Sequence, residues 1–424
     1  MSTSEHYDVI VVGRTISSLM TATLLAKRRL RVRVLDTEFP TEPNLPLFAM
    51  QTTPLLYTVT EELGLVHDLR TRLVAEPEGV TIALGDRRFM FHANPRLRAR
   101  VLGEVMPGSE SELLALFAAI EEYGPSLNTL LDGSLELPPD GFRARRHYER
   151  ALEACHASTL LNDQRLWSTD PAIRDMVHAL LMIAGQRSGL GEYMTPSALR
   201  TLWHLCYGLP SLRQGTAGVL EMLVQKLRSS GGTIEDERHI AHLDVRRKRI
   251  REVETKDGAC FGADYIVMSG GDDTLGHLLS NDTYGSPQDN CLGLSVPATE
   301  RPRLLRDPCG WVPEAGTPYA IRIAGDQMEI RWPGSQSAPD LEALMPFSDV
   351  VPGASDKVSG DTTERLDDLE LFHSPLRGPL KNLVYIGHSV LPGLGLESAC
   401  YTAYTAASIL EQAASSRWPF GKNI

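Results

Sequence analysis

A β-α-β unit at the head of the chain constrains the fold more than any other feature of the sequence. Residues 8–12 (DVIVV) form a β-branched run, the pattern of a strand covered on both faces, and Gly13 stops it. Leu19, Ala22 and Ala26, with Thr23 and Leu30 beside them, recur at helical spacing and predict an amphipathic helix over 16–27. LRVRVLD then predicts a second strand ending at Asp36. Strand, helix and strand in so short a span demand a crossover, and crossovers join parallel strands in a sheet covered by helices. Asp36 falls near the offset, about 20 residues, at which an acid meets the adenosine ribose of a dinucleotide.

Beyond this unit the pattern changes to helices mixed with hairpins. Residues 107–124 carry an apolar stripe of Leu113, Leu116, Phe117 and Ile120, a capping box of Ser109 and Glu112, and a stopping Gly124. Residues 79–93 and 319–333 each read as two short strands about a Gly-Asp turn. Residues 333–363, rich in Pro, Gly, Ser and Asp and without periodicity, read as a long loop. The α/β style returns over 218–271, with a helix, the Gly231-Gly232 turn, a strand, a hairpin at Asp257-Gly258 and a buried strand at 265–269. It closes over 382–412 with a strand, a glycine loop and a helix. A chain of 424 residues exceeds one ordinary core. The expected organisation is one α/β domain assembled from 1–75, 208–275 and 375–424, with 76–207 and 276–374 forming an inserted α+β substrate domain.

Charge and cysteines narrow the function classes. With 42 Lys+Arg against 54 Asp+Glu the formal charge is -12, which opposes broad association with nucleic acid. The 6 cysteines are scattered without a C-x-x-C pair, so a cytoplasmic setting and no metal site are expected. The acidic opening residues and Arg14 argue against a signal peptide, and no apolar run reaches the roughly 18 residues of a spanning helix. His239 and His242 are placed by strand alternation on opposite faces. The basic run 246–251 reads as a solvated hairpin edge, with an anionic membrane surface as the alternative, so peripheral membrane contact stays open.

Three sets of residues, in chain order, resemble the FAD-dependent phytoene desaturase, carotenoid isomerase and amine oxidase group. They are Gly13 with the strand before it, then Gly215, Gly218, Leu220, Gly231, Gly232, Ile240 and Leu243, and finally 382–387 with Pro392, Gly393, Gly395 and Leu396. The resemblance implies a Rossmann-like FAD/NAD(P)-binding domain built from discontinuous segments, with FAD as cofactor and an apolar small-molecule substrate, isoprenoid or carotenoid-like. It carries Gly13, Arg14, Thr15, Ser18, Asp36, Ile240, Gly387, His388, Gly393, Gly395 and Leu396 over as cofactor-binding positions, and His388 as the candidate catalytic side chain. Trp167, Met182, Trp203 and Tyr207 would line the substrate tunnel.

The sequence departs from that group at three places. Thr15 and Ser18 stand where the dinucleotide loop has its second and third glycines. Those glycines let the pyrophosphate approach backbone amides and let helix and strand pack closely, so Thr15 adds bulk at the phosphate and Ser18 separates helix from strand; the alternative is that Thr15 donates its hydroxyl to a phosphate, with the Arg14 charge alongside. The G-G-R segment after the second strand is replaced by TEFPTEPNLPLF, and His388 stands where relatives often have an acid or a small residue. Altered dinucleotide loops also occur in Rab GDP-dissociation inhibitors and escort proteins, which share this fold and bind prenylated partners without FAD. A non-catalytic scaffold or carrier with a protein partner is thus the second reading.

Overall fold

The chain threads two sheets and the helices that cover them. The computed structural model describes residues 5–37, 52–72, 79–84, 87–135, 139, 141–160, 162–166, 168–183, 194–208, 215–280, 288–295, 309–312, 319–324, 327–332, 351–359, 375–392 and 394–417. β1 (Glu5–Val12), α1 (Ile16–Lys27) and β2 (Val32–Asp36) open it, followed by α2 (Pro54–Leu63) and α3 (Val66–Arg72). The hairpin β3 (Gly79–Leu84) and β4 (Arg87–His92) leads into α4 (Pro95–Val105), α5 (Glu110–Tyr123) and a 3-10 turn at Pro125–Thr129. Then come α6 (Gly141–Ala154), α7 (Ala157–Leu160), α8 (Pro171–Ile183) and α9 (Pro196–Cys206). α10 (Gly215–Ser229) precedes β5 (Thr233–Arg246), β6 (Arg249–Thr255), β7 (Cys260–Ser269) and α11 (Gly271–Ser280). β8 (Gln288–Ser295), β9 (Cys309–Val312), β10 (Tyr319–Ala324), β11 (Gln327–Trp332) and β12 (Val351–Ser359) follow, and β13 (Leu383–Ile386), a 3-10 turn at Gly387–Ser389 and α12 (Leu396–Arg417) end it.

In the first sheet β1 lies between β2 and β7, parallel to both, and β13 adds in parallel outside β7. The amino-terminal part of β5 pairs in parallel with β2, and its remainder turns into an antiparallel meander with β6, which closes back on β7. Val9, Ile10, Val11 and Val12 are at most 1% exposed, as a run covered on both faces must be. Full burial of each contributes roughly 1.5–3 kcal/mol before conformational entropy is set against it. The second sheet runs β12-β8-β11-β10-β9-β3-β4. Both expected hairpins, β3–β4 and β10–β11, are antiparallel pairs within it, and their Gly-Asp turns lie outside the described residues.

Several sequence-based expectations change. α1 is not amphipathic: every residue from Ile16 to Ala26 is buried, because α10 and α12 pack on the sides that the sheet leaves open. The loop expected over 333–363 contains β12, which pairs antiparallel with β8 despite its Pro, Gly and Ser content; the rest of that stretch lies outside the described residues. The capping box of α5 does not form. Ser109 makes no capping bond and instead bonds the Asp170 carboxylate, while Glu112 accepts from the Thr169 amide, so both tie α5 to the start of α8. The basic run 246–251 lies on a solvent-exposed hairpin, as expected, and Arg247 (φ 54) and Lys248 (φ 60) form its turn between β5 and β6, both in the left-handed region. A two-residue hairpin turn of that type matches strand twist and requires both.

Candidate functional site at the carboxyl edge of the parallel sheet

Because β1, β2, β7 and β13 are parallel, their carboxyl ends share one edge of the sheet. Two sharp turns sit there, Gly13 (φ 97) after β1 and Gly387 (φ 83) after β13, in a conformation that side chains oppose. β1 is the point where the chain order reverses, with β2 on one side and β7 on the other, and ligands of open α/β sheets bind at such an edge. The helix that starts after Gly13 has no acidic residue in its first turn, so its amino terminus keeps its affinity for an anion.

The hydroxyls at the two altered glycine positions are engaged within the protein. Thr15 caps α1 by accepting from the Ser18 amide at 3.1 Å and donates to the Ser18 hydroxyl at 2.9 Å. Ser18 reaches the Ser269 hydroxyl at 3.3 Å, and Ser269 reaches the Val12 carbonyl at 3.3 Å. A buried hydrogen-bonded link thus runs from α1 through Ser18 and Ser269 to the end of β7. Arg14 is exposed beside this chain of hydroxyls.

The other positions are distributed along the same edge or just behind it. Asp36 ends β2 directly across from His239 of β5, and its Oδ1 accepts the Thr37 amide at 2.8 Å. Ile240 is buried at the irregularity where β5 leaves β2 for β6. Gly387 donates its amide to Thr402 at 2.9 Å and accepts from Ser398 at 3.3 Å, which fixes the turn to α12. His388 follows, half-buried, in the 3-10 turn. Gly395 (φ 54) and buried Leu396 start α12, and Gly393 lies outside the described residues.

Of the expected tunnel residues, Trp167 also lies outside them. Trp203 is packed against Arg200, with the guanidinium 4.4 Å from the ring centroid, and against Tyr207 at 5.5 Å, so it serves the core of this region. Met182 is buried in α8. Bulges on both sides of His239 and His242 place them opposite Asp36 and Glu254 respectively. Among the described residues no group of three His, Cys, Asp or Glu is placed to hold a metal ion, and no helix is long and apolar enough to cross a membrane.

Behind the Gly395 turn lies a buried cluster that sequence reasoning missed. Glu397 of α12, 1% exposed, takes a two-pronged bond from Arg200 at 2.6 and 3.0 Å and a third from His204 Nε2 at 2.8 Å. Arg200 spends its remaining donors on the Gly124 carbonyl, the Thr52 carbonyl and Asn128 Oδ1, at 2.6, 3.1 and 2.7 Å. His204 Nδ1 meets the Thr52 hydroxyl at 2.9 Å. Burial alone would push the Glu397 carboxyl up, but the Arg200 and His204 partners overcome it and hold it down at about 2. Burial pushes His204 below its usual value against the pull of Glu397, so the ring is neutral, donating from Nε2 and accepting at Nδ1. The only sequence hint was the spacing of Arg200 and His204 on one face of a helix.

This cluster makes stability depend on pH. Below about 6.5 the unfolded chain protonates His204 while the folded chain resists, so stability falls as pH drops through that range. Between about 4.5 and 2 it falls again, as Glu397 protonates first in the unfolded state. Thermal melts from pH 8 to pH 5 should show the upper limb, and His204→Gln should flatten it; the same slope in both proteins would remove His204 as its source.

A parallel sheet reversing at β1, glycine turns at the ends of β1 and β13, and a second sheet beside it make a Rossmann-like α/β fold. Solved structures agree across nearly the full length. An oxidoreductase from Methanosarcina mazei is 11% identical with a TM-score of 0.56, over 94% of this chain and 99% of its own. The myxobacterial chondrochloren halogenase, an FAD-dependent halogenase, is 11% identical with a TM-score of 0.51, over 97% of this chain and 76% of its own. A Rab GDI from Plasmodium falciparum is 12% identical with a TM-score of 0.53, over the whole of both chains. No protein-family model and no curated protein matches the sequence.

Proposed function

We propose that this protein is a flavin-dependent oxidoreductase that binds FAD along the carboxyl edge of its parallel sheet and acts on an apolar, isoprenoid- or carotenoid-like small molecule. One observation carries the reading: the Gly13 turn, the acid-free amino terminus of α1 and Asp36 follow one another along that edge in the order phosphate then ribose. The donor set fits the cofactor. Asp36 Oδ2 has no partner among the described residues and is available to a ribose hydroxyl, while Oδ1 is held by the Thr37 amide. Thr15 and Ser18 satisfy one another, so a pyrophosphate would meet the start of α1 and the Arg14 charge rather than their hydroxyls.

FAD, when bound, supplies the hydride-accepting ring, and the protein supplies binding, orientation and exclusion of water. Gly387, fastened to α12 through Thr402 and Ser398, and Pro392, whose carbonyl accepts from Ser197 of α9, would shape the wall nearest that ring. His388, half-buried next to Gly387, is the side chain to test for a role in the reaction. FAD/NAD(P)-fold neighbours named as an oxidoreductase and an FAD-dependent halogenase support the reading.

The purified protein is expected to carry a visible flavin spectrum, or to acquire one on incubation with FAD. Asp36→Ala should lower flavin content at least about tenfold, the loss of one charge-assisted hydrogen-bond site. A wild-type protein that stays colourless with FAD in excess would overturn the proposal and leave the carrier reading.

A further inference from the structure

We infer that α6 is an electrostatic docking surface for an anionic lipid bilayer. The helix packs on the 3-10 turn at Pro125–Thr129, where Ser126 donates to the Cys155 carbonyl just past the helix end; Ala151 and Cys155 are buried, with Ala144, Tyr148 and Leu152 half-buried along the same side. The opposite side is open to solvent. Arg143, Arg146, His147 and Arg150 follow the i, i+3, i+4, i+7 spacing that sets side chains in one stripe along a helix, and all four are exposed. Arg145 is exposed beside them. None of the four arginines has an ion pair or hydrogen bond among the described residues, although Glu149 and Glu153 share the helix.

Phe142 stands at the head of the same stripe, one turn before Arg146, and is 78% exposed, more than any other large apolar side chain described. Four unpaired arginines on a chain of net charge -12 favour an anionic partner at this one face. The aromatic ring chooses among anionic partners. A bilayer offers a charged headgroup layer for the guanidinium groups and an acyl boundary for the ring at the same depth, whereas a soluble polyanion leaves Phe142 in water. This inference uses only α6 and does not rest on the flavin reading.

The test is co-sedimentation of the full chain with vesicles of phosphatidylcholine alone and of phosphatidylcholine with phosphatidylserine at roughly seven to three, in about 0.1 M salt. Binding is expected to the mixed vesicles only, and to weaken as salt rises. Each arginine near such a surface strengthens adsorption about fivefold, so Arg143→Gln/Arg146→Gln/Arg150→Gln should weaken binding by at least about tenfold. All three side chains are exposed, and an unchanged melting temperature would show that the variant is folded. Phe142→Ser should weaken binding severalfold while leaving its salt dependence intact. Arg247→Gln/Lys248→Gln in the β5–β6 turn serves as a control and should change little. Absent binding to the mixed vesicles, equal binding by the α6 triple variant, loss confined to the β5–β6 control, or capture by soluble polyglutamate in preference to vesicles would each overturn the assignment.

Discussion

Glu397→Ala is expected to destabilise the protein by about 3–5 kcal/mol, the cost of leaving a buried ion without its partner. Arg200 is 0% exposed and directs two nitrogens at that carboxylate, and His204 directs a third. Removing the acid leaves the guanidinium held by two carbonyls and an amide oxygen, none of which carries a charge. Arg200→Met should cost a similar amount for the opposite reason, a stranded carboxylate. The Arg200→Met/Glu397→Leu double variant should then recover much of the loss, because it removes both desolvation penalties together. Urea unfolding of the four proteins measures this directly. Singles whose effects simply add in the double variant would show that the pair is not energetically coupled.

The second large effect concerns the floor beneath the same cluster. A methyl group on Gly124 would sit 2.2 Å from Trp203 Cγ and 2.5 Å from Trp203 Cβ. Trp203 cannot swing away cheaply, since one face of its ring carries the Arg200 guanidinium and Tyr207 stands edge-on nearby. Gly124→Ala is therefore expected to cost about 3 kcal/mol, as overpacking of a filled core does, although Gly124 has an ordinary helical conformation in which alanine is otherwise preferred. Trp203→Phe should not rescue it, because the clash is with Cβ and Cγ, which phenylalanine keeps. A melting temperature unchanged by Gly124→Ala would mean that this floor is looser than its geometry.

The two effects bear on function through α12. Its first turn holds Glu397, and Ser398 and Thr402, which follow it, fasten the Gly387 turn at the strand edge. A variant that loosens the cluster should therefore also lower flavin content under the proposed reading, at a temperature where the rest of the fold survives. Arg28, which bridges Glu62 of α2 and Glu411 near the end of α12, restrains the other end of that helix.

Local pattern determined much of the architecture. The β-branched run of β1, its glycine stop and the acid ending β2 each report a constraint acting within a few residues, so the β-α-β unit and the strand before the Gly387 turn were legible without any partner in view. The parallel-sheet fold class followed, since a short crossover leaves few alternatives. What the neighbours of a segment contribute was not legible. α1 takes its complete burial from α10 and α12, β12 its extended form from pairing with β8, and Ser109 a partner in Asp170 instead of its own helix. The hydroxyls of Thr15 and Ser18 find their partners in one another and in Ser269 of β7, which lies far from them in the chain. The buried charge cluster was the least visible of all: nothing in the composition near Glu397 announces Arg200 and His204, which come from far away in the chain. A buried charge is tolerable only where the fold delivers its counter-ion, and that pairing is a property of tertiary structure.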